Sequence, residues 1–247
     1  MPDIGNISWR LREVGYAVVR LPNLLGLGSI VRRASAAYSG DNDEMHAAAQ
    51  ARLVEWAREY DLAGSIVESN FELFAELLGP DLAVDPRVHV RIARPARRSD
   101  NVGFHCDTWY GQAPWLLAVH VPLRDLDERA CLKFSPGSHK RALATEPAPA
   151  QCERGDARHD AGFLYAPKRT TDAAALAALQ PVPLKFGEAV VFSSAILHGQ
   201  EANMSDYPRA SVDLRVANGY AAMLDPSRQF RPVATGPVMD MVQVTAA

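Results

Sequence analysis

The stretch from Arg209 to Ala217 alternates without a break. Ala210, Val212, Leu214 and Val216 fall on one face of an extended chain, and Arg209, Ser211, Asp213 and Arg215 on the other. Side chains of a strand alternate sides with a period of two, so this pattern demands a strand with one apolar and one charged face. The charged face has two readings: a solvated edge, or the wet lining of a barrel. A second alternating stretch follows Pro86, with Val88, Val90 and Ile92 opposed to Arg87, His89 and Arg91. Further strand candidates are Leu116 to Leu123, Cys131 to Ser135 before the turn Pro136-Gly137, Pro183 to Phe186, Gly187 to Ser193 and Ile196 to His198. Short strands recurring about every ten residues between turn signals suggest a β-sandwich or barrel.

The first eighty residues differ in character. Ile30 to Tyr38 and Met45 to Tyr60 are rich in good helix formers, and Phe71 to Leu78 is amphipathic and stopped by Gly79-Pro80. Trp9, Leu11, Val14 and Val18 sit near helical spacing, but Gly15 interrupts them, so Gly15 to Leu21 reads as a short strand after a helix. Ser138 to about Gln180 reads as a long excursion with one Ala-rich helix, Asp172 to Leu179, and the tail from Asp225 as irregular. Nothing divides the chain. One domain over 1–247 is expected, with a helical layer over about 1–80 and a β core over about 86–220.

A chain of 247 residues with a net charge of −3 has no basic footprint for nucleic acid or an anionic membrane. No apolar run approaches the roughly 20 residues of a membrane span. The start Met1-Pro2-Asp3-Ile4 lacks the features of a secretory signal. Cys106, Cys131 and Cys152 are odd in number and widely spaced, which fits reduced thiols in a cytoplasm.

Chemistry is concentrated in His105-Cys106-Asp107. On a strand, His105 and Asp107 would point the same way, about 7 Å apart. An imidazole and a carboxylate are two thirds of the 2-His-1-carboxylate set that holds non-haem Fe(II); the alternative for the triplet alone is a His–Asp hydrogen bond in a loop. His198 ends a later strand candidate, and Arg209 comes eleven positions after it.

His105-x-Asp107, Pro136-Gly137-Ser138-His139, Gly187-Glu188-x-Val190-x-Phe192, His198-Gly199 and then Arg209 form an ordered set that resembles the phytanoyl-CoA dioxygenase family, a branch of the Fe(II)/2-oxoglutarate oxygenases. The resemblance covers roughly Gly15 to Ala217. It implies a double-stranded β-helix, or jelly roll, mainly β with flanking α and a helical N-terminal layer. It also implies Fe(II) held by His105, Asp107 and His198, with 2-oxoglutarate and O2 as cosubstrates. Arg209 matches the family's cation for the far carboxylate of 2-oxoglutarate, a task that suits a guanidinium fork.

Gln200, Arg91 and His120 are further expected contacts to the cosubstrate: Arg91 shares a face with His89 and is a second anion contact, while Gln200 has solvent, and His120 a hydrogen-bonded core position, as the bland alternative. Trp109 and Tyr110 are expected as substrate walls, or else as packing under the long excursion. His139 corresponds to a structural loop of the family and is not assigned as a ligand. Related halogenases have a small residue where this chain has Asp107. The expected activity is oxidation, by default hydroxylation, of an unactivated C–H bond of a small molecule. Trp109-Tyr110-Gly111 resembles family members of bacterial natural-product pathways, including those of sugar- and cyclitol-derived antibiotics. Alternatives are epimerisation, desaturation or ring closure by the same machinery, a non-redox metal-dependent isomerase or hydrolase, and a catalytically silent binding module. The sequence leaves the substrate and the oligomeric state open.

Overall fold

The computed structural model describes residues 4–23, 27–37, 42–148, 167–223 and 230–234. Five helices and two strands come first: α1 (Ile4–Glu13), β1 (Tyr16–Arg20), α2 (Leu27–Ala37), α3 (Asp43–Glu59), α4 (Leu62–Ser69), α5 (Phe71–Leu78), β2 (Leu82–Val84). Then follow β3 (His89–Ala93), β4 (Leu117–Pro122), β5 (Lys133–Phe134), β6 (Thr145–Pro147), β7 (Lys168–Thr170), a short helix Ala173–Ala177, β8 (Gln180–Pro181), β9 (Glu188–Ser193), β10 (His198–Gly199), β11 (Arg209–Asn218), a short helix Gly219–Met223 and β12 (Arg231–Ala234).

The strands form a large antiparallel sheet in the order β1-β9-β4-β11-β2-β12, with β3 also paired to β11, and a small sheet in the order β10-β5-β8. This is the jelly-roll arrangement, with the small sheet closing over one face of the large one. β11 is its spine. Its first half pairs β3, its last residues pair β2, and Ser211 to Val216 pair β4 along the opposite edge.

The alternation of β11 explains which face goes where. Val212, Leu214 and Val216 are fully buried and pack, with Val90, Ile92, Val119 and Val191, against Leu53, Ile66, Val67 and Phe74 of the helical layer. Burying each such side chain contributes on the order of 1.5–3 kcal/mol. The opposite face is also buried: Arg209, Ser211 and Arg215 are 3%, 0% and 7% exposed. The charged face therefore lines the interior between the two sheets and is not a solvated edge.

Several local expectations change. α4 has no counterpart among the expected elements, since Gly64, Ser65 and Val67 weaken its helical signal. Asp61 marks its start by accepting a hydrogen bond from the Gly64 backbone N–H at 3.4 Å. Pro183 to Phe186 is not a strand; Leu184 makes one isolated bridge to Leu126, and the strand lies earlier, at β8. The tail is not wholly irregular, because β12 pairs β2. The β core also recruits β1, β2 and β12, all outside 86–220. Tyr38, Cys152 and the segment 149–166 of the long excursion lie outside the described residues.

Candidate metal centre

His105 and Asp107 do not share a strand. His105 makes a single antiparallel bridge with His198, while Asp107 opens a 3-10 turn, Asp107–Tyr110. The turn is pinned by backbone N–H groups: Thr108 donates to Ser194 O at 3.0 Å and Trp109 to Cys106 O at 3.0 Å. It brings the carboxylate back under the imidazole. Asp107 Oδ1 lies 3.4 Å from His105 Nε2 and 3.7 Å from His198 Nε2. One atom from each of the three residues falls within 4.8 Å of the others, and all three residues are buried.

The two imidazoles are oriented from behind. Gly103 O lies 3.0 Å from His105 Nδ1, and Ile196 O lies 3.0 Å from His198 Nδ1. A backbone carbonyl can only accept, so each Nδ1 carries the proton and each Nε2 presents a lone pair to the common centre. Phe134 stacks on His198 at 5.6 Å between ring centroids, and Phe192 lies at 4.6 Å. Burial, with His105 nearby, pushes the His198 pKa down to about 4, which keeps it in the neutral form a metal requires. Burial by itself would raise the Asp107 pKa, but the Arg215 guanidinium and the neighbouring imidazoles outweigh it and hold the carboxyl well below its usual range.

A pocket opens beside this centre, lined by the inner face of the large sheet (Arg91, His120, Arg209, Asp213 and Arg215 among others). Arg209 Nη1 donates to Gln200 Oε1, and Arg209 Nη2 donates to Asn101 Oδ1 at 2.9 Å. Both partners are neutral amides. Arg209 Nε and the Ser211 hydroxyl, two residues along the same face, are buried without hydrogen-bond partners. Burial lowers the Arg209 pKa only to about 10, so it remains a cation at neutral pH. A buried cation with a spare donor and, among the described residues, no carboxylate contact calls for an anion. The donor set at the centre and this anion-seeking group on the same pocket fit Fe(II) and 2-oxoglutarate.

The other expected residues are tied into the protein. Gln200 holds Arg209 and donates from Nε2 to Arg129 O at 3.0 Å. Asp213 sits between His120 Nδ1, at 2.6 Å, and Arg91 Nε, at 3.2 Å. His120 and Arg91 both line the pocket, and His120 Nε2 is buried without a partner. Tyr110 stands edge-on to His105 at 5.3 Å. Trp109 packs with Cys106, Leu197 and Ala175. His139 is bonded to Arg12 O at 3.0 Å, a structural contact. Sequence reasoning misses Asn101 and Ser211, and it offers Arg215 only as a cation to stand in for Arg209, not as a partner of Asp107. Ser211 and Arg215 are legible as members of the β11 polar face, whereas Asn101 carries no pattern at all.

The sequence pattern of the phytanoyl-CoA dioxygenase (PhyH) family matches residues 34–211. This chain belongs to that family. It is therefore a 2-oxoglutarate-dependent non-haem iron enzyme, with Fe(II) as its metal and 2-oxoglutarate and O2 as cosubstrates. No curated protein matches it in sequence. Solved structures that share its fold include the epimerase SnoN in complex with Fe3+, alpha ketoglutarate and nogalamycin RO (18% identity, TM-score 0.58, covering 87% of this chain and 83% of that one). The non-heme monooxygenase ThoJ superposes with a TM-score of 0.55 at 20% identity, over 92% of this chain and 80% of that one. EvdO2 from Micromonospora carbonacea var. aurantiaca, complexed with 2-oxoglutarate, gives a TM-score of 0.56 at 18% identity, over 85% and 89%.

Proposed function

We propose that this family member oxidises an unactivated C–H bond of a small molecule in a bacterial natural-product pathway, most simply by hydroxylation. His105, Asp107 and His198 hold the iron, and Arg209 holds the far carboxylate of 2-oxoglutarate. The observation that carries this is the convergence of three buried ligand atoms within 4.8 Å on the pocket that also contains the partly unsatisfied cation Arg209. With its cosubstrates bound, Fe(II) supplies the oxidising chemistry. The chain's own residues bind, orient and shield: Gln200 and Asn101 aim Arg209, the Gly103 and Ile196 carbonyls aim the imidazoles, and the sheets exclude bulk water.

His120 and Arg91, joined through Asp213, are assigned to the polar wall around the cosubstrate, and Trp109 and Tyr110 to the approach of the substrate. One domain carries the whole site. Buried, unbridged Cys106 and Cys131 support a reducing, cytoplasmic setting, and among the described residues no helix is long and apolar enough to cross a membrane. Asp107 fills the third ligand position, and its charge disfavours chloride at the metal. Product made in chloride-rich buffer should carry oxygen and no chlorine.

Epimerisation is the second reading, favoured by the fold shared with SnoN over 87% of the chain. Purified protein with Fe(II), 2-oxoglutarate and O2 should release succinate slowly without substrate. A non-redox metal enzyme or a silent binding module would release none. Once a substrate is found, a product heavier by one oxygen atom supports hydroxylation, and one of unchanged mass supports epimerisation.

A further inference from the structure

We infer that Arg215 is a positioning residue that holds Asp107 as a one-oxygen ligand and so keeps a metal position open for the cosubstrate. The inference rests on His105, Asp107 and His198 being the metal ligands.

The two oxygens of Asp107 have separate surroundings. Oδ1 faces the two imidazole Nε2 atoms, at 3.4 and 3.7 Å. Oδ2 turns away and accepts from Arg215 Nη2 at 2.5 Å. A carboxylate is free to bind a metal through one oxygen or two. Donation from a fixed guanidinium to Oδ2 takes up the lone pair that a second metal bond would use. His105, Asp107 and His198 would then each give the metal one donor, leaving room at it for the cosubstrate.

Arg215 is built for a fixed task. It lies on β11, opposite Ala118 of β4, where the small partner leaves room for the guanidinium inside the sheet face. Nη1 donates to Leu214 O at 3.1 Å, anchoring the head while Nη2 reaches Asp107. Its side chain is 8% exposed and that of Asp107 2%, so water does not compete for the contact. The planar fork holds a direction that a flexible ammonium would not. The pairing also links the turn at Asp107–Tyr110 to the spine strand that carries Arg209, so both halves of the site share one support.

The test uses Co(II) in place of Fe(II), read by visible absorption, whose intensity reports coordination number before any cosubstrate is added. Wild-type protein, Arg215→Met, Arg215→Lys and His198→Ala are titrated with Co(II) and then with 2-oxoglutarate. For Arg215→Met the Co(II) bands should change shape and intensity as Asp107 takes the metal with both oxygens. Its 2-oxoglutarate affinity should fall about 10–100-fold, while Co(II) is still bound. Arg215→Lys should shift the bands part-way. Bands of Arg215→Met identical to wild type overturn the inference, whatever happens to 2-oxoglutarate affinity, since loss of charge alone would weaken a dianion. If Arg215→Met does not fold by circular dichroism, Arg215→Lys decides: an unchanged spectrum overturns the inference and a shifted one supports it. A wild-type protein that binds no Co(II), or a His198→Ala variant with the wild-type spectrum, would instead refute the ligand assignment itself.

Discussion

His105 and His198 face each other across one isolated antiparallel bridge, each backbone N–H donating to the other's carbonyl at 2.9 Å. The residues are 93 positions apart, yet two hydrogen bonds bring their rings to 4.5 Å between centroids. The backbone therefore makes the bridge, and either imidazole can be removed without removing the strand contact. His105→Ala and His198→Ala should abolish metal-dependent succinate release while leaving the circular dichroism spectrum unchanged. Near-wild-type turnover in either variant with added Fe(II) would rule out that residue as a ligand.

Gly199 controls the same bridge from the side. Its φ is +142°, and a Cβ placed there would lie 2.1 Å from Gly103 O, the carbonyl that orients His105. Backbone cannot step aside as a side-chain tip can. Gly199→Ala should cost at least about 1–3 kcal/mol of stability from the conformation alone. It should also weaken metal binding, because Gly103 must move and His105 follows it. A chemical denaturation curve and a Co(II) titration check both; wild-type metal affinity in a destabilised Gly199→Ala variant would separate the bridge from the site.

Much of the candidate site is legible because residue types suited to metal ligation mark a sequence strongly. His105, Asp107, His198 and Arg209 are rare residue types for a barrel interior, and their order is distinctive. The alternation of β11 likewise revealed the strand, but not the side to which its charged face turned. Only the helical layer packed on Val212 and Leu214 decides that. The period-two argument puts His105 and Asp107 on one strand, whereas Asp107 opens a turn held by Ser194, a residue far along the chain. Asn101 and Arg215 each act on a partner 108 positions away, and no local pattern encodes such contacts. α4 is hidden by a glycine and two β-branched residues, Ile66 and Val67, that burial tolerates.

Arg209 is held by two amides, Gln200 and Asn101. Arg209→Ala should raise the apparent KM for 2-oxoglutarate far more than that for the substrate, since losing a buried charge-assisted pair costs about 2–5 kcal/mol. Arg209→Lys should recover part of this, because an ammonium cannot make the fork contact. Asn101→Ala should have a smaller effect of the same kind, by freeing Nη2 to wander. Steady-state kinetics with 2-oxoglutarate varied check the ranking, with the largest rise in KM for Arg209→Ala, a smaller one for Arg209→Lys and the smallest for Asn101→Ala. An unchanged cosubstrate KM in Arg209→Ala would move the anion site elsewhere, to Arg91 first.

The neutral, buried His198 makes the metal-free protein acid-sensitive. Its pKa is pushed down to about 4 from an ordinary value of 6.5, chiefly by burial. Between those values the unfolded chain binds a proton that the folded chain does not, so stability rises with pH. The contribution is fully present above about pH 6.5 and is lost as pH falls toward 4, with a limiting slope of about 1.4 kcal/mol per pH unit for this one group. Urea unfolding of chelator-treated protein from about pH 7.5 to about pH 4.5 should show that decline. His198→Phe, which keeps an aromatic ring beside Phe134 and Phe192, should make it shallower, the remaining decline belonging to His89, which burial pushes down to about 3, and to His46, which burial also lowers. An equally steep decline in His198→Phe would assign the acid sensitivity to another group.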